Sequence, residues 1–169
     1  MSNIKVNETY SDGMYEFLNG NFERSIEILS AAAELDPGRK LTFVSRGSAY
    51  LRLNRLQEAL DDFNHAIKID PDYARAFHLR GLVEEKKGAV NRALEDFSRA
   101  IEIDPEYGAA YHSRATLHTK MGHEDLAMDD ISMVQHLTNK NIETFANENN
   151  IWRSQHLRLE SIMESELGR

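Results

Sequence analysis

The sequence predicts an all-α solenoid built from stacked helix–turn–helix units. Three observations carry that expectation. Gly47, Ala59, Phe63, Ala66 and Pro71 return as Gly81, Ala93, Phe97, Ala100 and Pro105, every one displaced by 34 residues, so the chain consists of copies of one unit. Phe43, Gly47 and Tyr50 fall at steps of four and three, the spacing of one side of an α-helix. Gly20, Asn54, Gly88 and Gly122 stand at one equivalent place in each unit, and glycine and asparagine tolerate the left-handed conformation in which helices end.

In chain order, residues 1–5 are expected to be a flexible N-terminus. Four units follow, over 6–39, 40–73, 74–107 and 108–141. The outer two keep the register with looser identities: Gly13, Ser25, Leu29, Ala32 and Pro37 in the first, Ala115, Ala127, Ile131, Val134 and Asn139 in the last. Terminal copies drift in this way because each has one face with no neighbour to pack on. Within a unit the first helix presents Phe43, Gly47 and Tyr50 to the core. The second runs through Ala59, Phe63 and Ala66 to Ile69, Asp70 and Pro71, where proline stops it. The small residues let two antiparallel helices approach closely, and Phe63 and Phe97 fill the gap between them.

On these Gly, Tyr, Ala, Phe, Ala and Pro positions, residues 6–141 resemble the tetratricopeptide repeat. The resemblance implies a right-handed superhelical solenoid whose first helices line a concave groove, with the second, fifth, ninth and twelfth positions of each unit pointing into it. Those are Asn7, Tyr10, Met14 and Phe17, then Leu41, Val44, Ser48 and Leu51, then Arg75, His78, Leu82 and Glu85, and last Ala109, His112, Thr116 and Thr119. The groove is thus expected to be apolar in its N-terminal half and polar in its C-terminal half. An open apolar patch on a soluble protein marks a place that something covers. An amphipathic helix or extended peptide of a partner protein would suit, its polar or acidic end oriented by Arg75, His78 and His112. The alternative is that Tyr10 and Phe17 fold inward in the divergent first unit.

Family members that grip the carboxylate terminus of chaperones do so with lysines, asparagines and an arginine at set groove positions. The matching places here hold Tyr10, Met14, Ser45, Arg75 and Leu79, and only Arg75 could serve. Chaperone-tail binding is therefore not expected.

Composition narrows the function further. A net charge of −8 repels phosphate backbones and makes nucleic acid and anionic membranes poor partners. No run of about 20 apolar residues is present to span a bilayer, and Met1 to Tyr10 is too polar for a signal peptide. The expected address is soluble and cytoplasmic. There is no cysteine, so disulfides and thiol chemistry are excluded.

Charged residues keep the same period. Arg46, Arg80 and Arg114 share one position and Asp62, Asp96 and Asp130 another, while the first unit has Asp12 and Ile28 in their places. Their joint presence or absence suggests an ion pair between the two helices of a unit. A catalytic reading finds little to use. No phosphate loop, nucleophile elbow or cysteine nucleophile occurs. Neighbouring acidic residues such as Asp61 and Asp62 point about 100° apart on a helix and share an ion poorly. His78 and His112 would lie roughly 10 Å apart on packed helices, too far for common zinc ligation. His118, His123 and His136 fall on other faces. Neither an enzyme activity nor a cofactor nor a metal site is expected.

Residues 142–169 are expected to form a long C-terminal helix that resembles the family's capping helix. Ile142, Phe145, Asn149, Trp152, His156, Leu159 and Met163 alternate steps of three and four along it. From Asn141 to Leu167 such a helix extends roughly 40 Å, so its end overhangs the stack. Leu157, Leu159, Ile162 and Met163 then need a second copy of the chain, a partner or the flank of the same molecule to cover them, unless that end frays. Two functions from different classes follow: an adaptor that binds a segment of another protein in the groove, or a self-assembling scaffold that uses the groove or the C-terminal helix.

Overall fold

A computed structural model of the chain describes residues 3–148. It contains eight α-helices: α1 (Asn3–Leu18), α2 (Phe22–Leu35), α3 (Lys40–Arg52), α4 (Leu56–Ile69), α5 (Ala74–Lys86), α6 (Val90–Ile103), α7 (Gly108–Lys120) and α8 (Glu124–Glu148). No strand occurs among the described residues. The fold is an all-α helical repeat solenoid, and the reasons lie in its turns and its small residues.

Each first helix ends on a residue with positive φ: Gly20 at 80°, Asn54 at 58°, Gly88 at 78° and Gly122 at 77°. In every case the residue after it donates its N–H back across the last turn, as Ala89 does to the Glu84 carbonyl and Arg55 to that of Tyr50, both at 2.9 Å. Otherwise orphaned carbonyls are thereby satisfied. The Asp–Pro steps make the second kind of turn. Asp36, Asp70 and Asp104 each accept, on Oδ1, the backbone N–H of the residue two further on, at 3.0, 3.1 and 3.0 Å.

Close packing within a unit follows from glycine. A Cβ placed on Gly47 would stand 2.8 Å from Phe63 Cε1, and one on Gly81 only 2.6 Å from Phe97 Cε1. Phe63 and Phe97 are fully buried in that space. In the first unit Leu29 fills the same role against Gly13, with a Cβ there meeting Leu29 Cγ at 2.7 Å. In the fourth unit the equivalent places hold Ala115 and Ile131, and Ile131 is 40 % exposed.

The expected ion pairs are present in three units. Arg46, Arg80 and Arg114 each hold Asp62, Asp96 and Asp130 through two parallel hydrogen bonds, of 2.9 and 2.7, 2.9 and 2.6, and 2.9 and 2.7 Å. Each Nη1 also reaches back to the preceding unit, to Ser30, Asn64 and Ser98. The arginine thus ties two units together as well as two helices, a role that the spacing alone did not reveal.

Contacts between units set the curvature. Each second helix packs on the first helix that follows it, α2 on α3, α4 on α5 and α6 on α7. The odd-numbered helices also touch in series, whereas the even-numbered ones do not meet one another. Units that lie closer along one layer than the other must curve toward it, so α1, α3, α5 and α7 form the inner surface. The core is distributed among these seams, with separate clusters around Phe43 and Val44, around Phe63 and Val83, and around Phe97 and Leu117. Such a stack has nearest-neighbour stability and no single centre.

At the C-terminal end α8 runs without a break through residue 141, where the sequence had placed a boundary. The chain stays helical because Asn139 replaces the proline of the earlier units and keeps its backbone N–H.

Candidate protein-interaction groove

The inner layer carries the residues expected to face a ligand, and the structure sorts them into three states. Some remain accessible, some are half-buried, and two are committed to the core.

In the first unit Tyr10, Met14 and Phe17 are half-buried. The Tyr10 hydroxyl shares a 3.1 Å hydrogen bond with Ser45 Oγ, and the Arg39 guanidinium carbon lies 4.3 Å from the Tyr10 ring centroid. Arg39 also donates to Asn7 Oδ1 at 2.5 Å. Phe17 meets Phe22 of α2 edge-on with centroids 5.4 Å apart. These aromatic side chains are therefore braced by neighbours but not withdrawn.

In the second unit Leu41 is 39 % exposed, while Leu51 is half-buried against the cluster of Ala59, Leu60, Phe63 and Val83. Ser48 spends its hydroxyl on the Val44 carbonyl at 2.7 Å. Val44 itself is only 3 % exposed and packs with Phe43, Ala66, Ala76 and Leu79. It is a core residue, which corrects its assignment to the open face.

The third unit requires a second correction at His78, which is 8 % exposed. Its Nε2 lies 2.9 Å from Ser113 Oγ and its Nδ1 3.2 Å from the Tyr107 hydroxyl. The ring stacks edge-on to Tyr107 and lies 5.7 Å from that of Phe97. Burial, helped by the positive charge of Arg75, lowers its pKa to about 4, so the imidazole is neutral at pH 7 and supplies no charge to an acidic ligand. Arg75 itself is exposed and makes no hydrogen bond or ion pair among the described residues. Leu82 is half-buried against Ala93, Phe97 and Leu117. Glu85 accepts from Lys120 Nζ at 2.6 Å.

In the fourth unit Ala109, His112, Thr116 and Thr119 are exposed. Both threonines turn their hydroxyls onto their own helix, to the His112 and Ala115 carbonyls, at 2.9 Å. Leu157, Leu159, Ile162 and Met163 lie outside the described residues.

One pairing recurs along the inner layer. The fifth position of a unit meets the sixth position of the next, 35 residues on: Tyr10 with Ser45, Val44 with Leu79, His78 with Ser113. A hydroxyl partner holds a polar group and an apolar partner draws an apolar one inward. Ser113 and Tyr107 escaped the sequence reading, and Ser45 entered it only as a place that a chaperone-binding residue would occupy, although the two serines share a register two repeats apart.

No group of three or more histidine, aspartate or glutamate side chains could hold a metal among the described residues. His118 and His123 do come together across the last turn, with Nδ1 atoms 3.4 Å apart, a pairing hidden by their spacing in sequence. No helix among the described residues is long and apolar enough to cross a membrane.

A curved stack of paired helices with an accessible inner layer defines a repeat scaffold. Residues 47–107 are tetratricopeptide repeats: family models described as TPR repeat and tetratricopeptide repeat match residues 47–88 and 74–107. Among curated proteins no match is found. Among solved structures, MamA is similar with a TM-score of 0.75 at 25 % identity, over 82 % of this chain and 81 % of that one. The second repeat domain of human RPAP3, solved in complex with the HSP70 peptide SGPTIEEVD, gives 0.64 at 27 %, over 68 % and 95 %. The Arabidopsis OM64 domain gives 0.66 at 21 %, over 68 % and 95 %.

Proposed function

We propose that this chain is a non-catalytic interaction module that binds an extended peptide or amphipathic helix of a partner protein along its inner groove, in the cytoplasm. The observation that carries the reading is the set of apolar side chains left on the inner layer, Leu41, 39 % exposed, with half-buried Met14, Phe17 and Leu51. On the next inner helix, Arg75 is exposed and makes no ion pair among the described residues. A ligand with two or three aliphatic or aromatic anchors and an acidic residue on its C-terminal-unit side fits this surface. The peptide complex of the RPAP3 domain supports a groove that takes peptides, and the missing lysines and asparagines argue that this one needs no terminal carboxylate. His112, Thr116 and Thr119 then tune selectivity as exposed polar contacts.

The test is selection of peptides from a random display library against the natural chain. Binders should carry aliphatic anchors, and a Leu41→Glu, Leu51→Glu variant should lose at least ~10-fold in affinity, since each buried apolar side chain is worth about 1.5 kcal/mol or more. Val44 is unsuitable for this purpose, because a charge there breaks the core. Selected peptides that bind the variant equally well would place the interaction elsewhere.

A further inference from the structure

Every second helix before the last has its outward face covered by the next unit. Leu60 and Phe63 of α4 are buried in one cluster with Val83 of α5, and Leu94 and Phe97 of α6 pack with Leu117 of α7. One repeat further, the same two positions of α8 are Met128 and Ile131, which are 62 % and 40 % exposed. Ile142, on the same side of the helix, is 57 % exposed.

The cause is the unbroken course of α8. In register, the residues that would begin the next covering helix start at 142, but they are already part of α8. A helix cannot lie on its own preceding turns.

The sequence indicates what does. Met128, Ile131, Gln135, Thr138 and Ile142 are spaced by alternating steps of three and four, and the same steps continue in phase through Phe145, Asn149, Trp152, His156, Leu159 and Met163. A sustained seven-residue period is the pattern of a helix that pairs with another helix along its length. Between Gly122 and Gly168 there is neither glycine nor proline, the residues that turn the chain in most of the earlier units. Charge supplies direction. Asp125 lies as far before residue 141 as Arg158 lies after residue 142, and Asp129 as far before residue 141 as Arg153 lies after it, so an antiparallel partner centred within a residue of these positions sets opposite charges together at both ends. Antiparallel is also the sense in which each first helix crosses the second helix before it.

We propose that the outward face of α8 is a self-pairing surface, occupied by the same segment of a second copy of this chain, antiparallel and with Ile142 near the two-fold axis. Each copy then covers the exposed outward face of the other's α8. The contact is isologous and closes as a dimer. It is separate from the peptide groove and stands or falls independently of it.

Sedimentation velocity on the full chain tests it. The natural chain should sediment as a dimer. An Ile131→Glu, Ile142→Glu variant should raise the dimer dissociation constant by at least ~10-fold with its helical circular dichroism unchanged, since both side chains are exposed in the single copy. Asp125→Arg with Asp129→Arg should weaken the dimer, and adding Arg153→Asp with Arg158→Asp should restore it. Because the chain has no cysteine, Ile142→Cys provides a single thiol that should cross-link two copies on oxidation. The groove variant Leu41→Glu, Leu51→Glu should remain dimeric. A chain that stays monomeric at every concentration overturns the proposal, as does a dimer indifferent to the α8 substitutions or a mass that grows without limit. A monomer with Met128 and Ile131 protected from hydrogen exchange also overturns it, because the cover would then come from the same chain.

Discussion

Arg80 holds Asp96 with its Nε 2.9 Å from Oδ2 and its Nη2 2.6 Å from Oδ1, while Nη1 lies 2.8 Å from Asn64 Oδ1 in the preceding unit. One guanidinium therefore closes the two helices of its own unit and the seam before it. The planar fork is the reason that arginine recurs here and lysine does not. The Asp96 side chain is 9 % exposed, so little water can replace its partner. We expect Arg80→Lys to cost about 1–2 kcal/mol through loss of the bidentate geometry, and Asp96→Ala more, about 2–4 kcal/mol, because it strands a half-buried cation. Urea denaturation measures both. Equal losses for the two variants would mean that packing, and not the ion pair, is what the site contributes.

Gly81 offers a test of packing that leaves charge alone. A methyl group added there meets Phe97 Cε1 at 2.6 Å, Phe97 Cδ1 at 2.8 Å and Asp96 Cβ at 3.2 Å. Alanine gains up to about 1 kcal/mol in helix propensity over glycine, but overpacking against a ring that cannot move costs about 1–3 kcal/mol. Gly81→Ala should be net destabilising by about 1–2 kcal/mol on these figures. Adding Phe97→Leu should recover part of the loss in a thermal melt, which a purely local backbone effect would not do.

At Asn54 the sign reverses. This residue has φ 58° where the other three units use glycine, and asparagine accepts that conformation at some cost. Asn54→Gly should be neutral or stabilising by a few tenths of a kcal/mol, while Asn54→Ala should destabilise by about 1 kcal/mol. The Asn54→Gly variant should therefore melt at or slightly above the temperature of the natural chain, and Asn54→Ala below it.

Much of this was legible in the chain before any coordinates. The turn residues, the glycine–phenylalanine contacts and the arginine–aspartate pairs repeat with the unit, and a period exposes whatever the fold imposes on every copy. The groove was harder to read because its side chains differ from unit to unit, and a position that faces outward in one can be drawn inward in the next. Val44 and His78 illustrate the point. Their burial depends on Leu79 and Ser113, each 35 residues away in a neighbouring helix, and no rule within a single unit predicts it. The course of α8 through residue 141 likewise depends on one missing proline, a weaker signal than the register that continued past it.

His78 also makes the stability of the protein depend on pH. Its folded pKa is about 4, against 6.5 for the free side chain, with burial the first cause and the charge of Arg75 the second. Between those values the unfolded chain binds a proton that the folded chain refuses, so stability rises with pH through this window. The contribution is complete above about 6.5, declines as pH falls, and is gone below about 4, amounting to at most about 3 kcal/mol. Carboxylates titrate in the same range, so the useful quantity is a difference. A His78→Gln variant keeps the hydrogen-bonding partners Ser113 and Tyr107 supplied but has nothing to protonate, and its urea-denaturation stability should fall less steeply from pH 6.5 to pH 4 than that of the natural chain. Parallel pH profiles for the two proteins would mean that the buried imidazole accepts a proton in place, and that Ser113 and Tyr107 solvate the imidazolium in spite of Arg75.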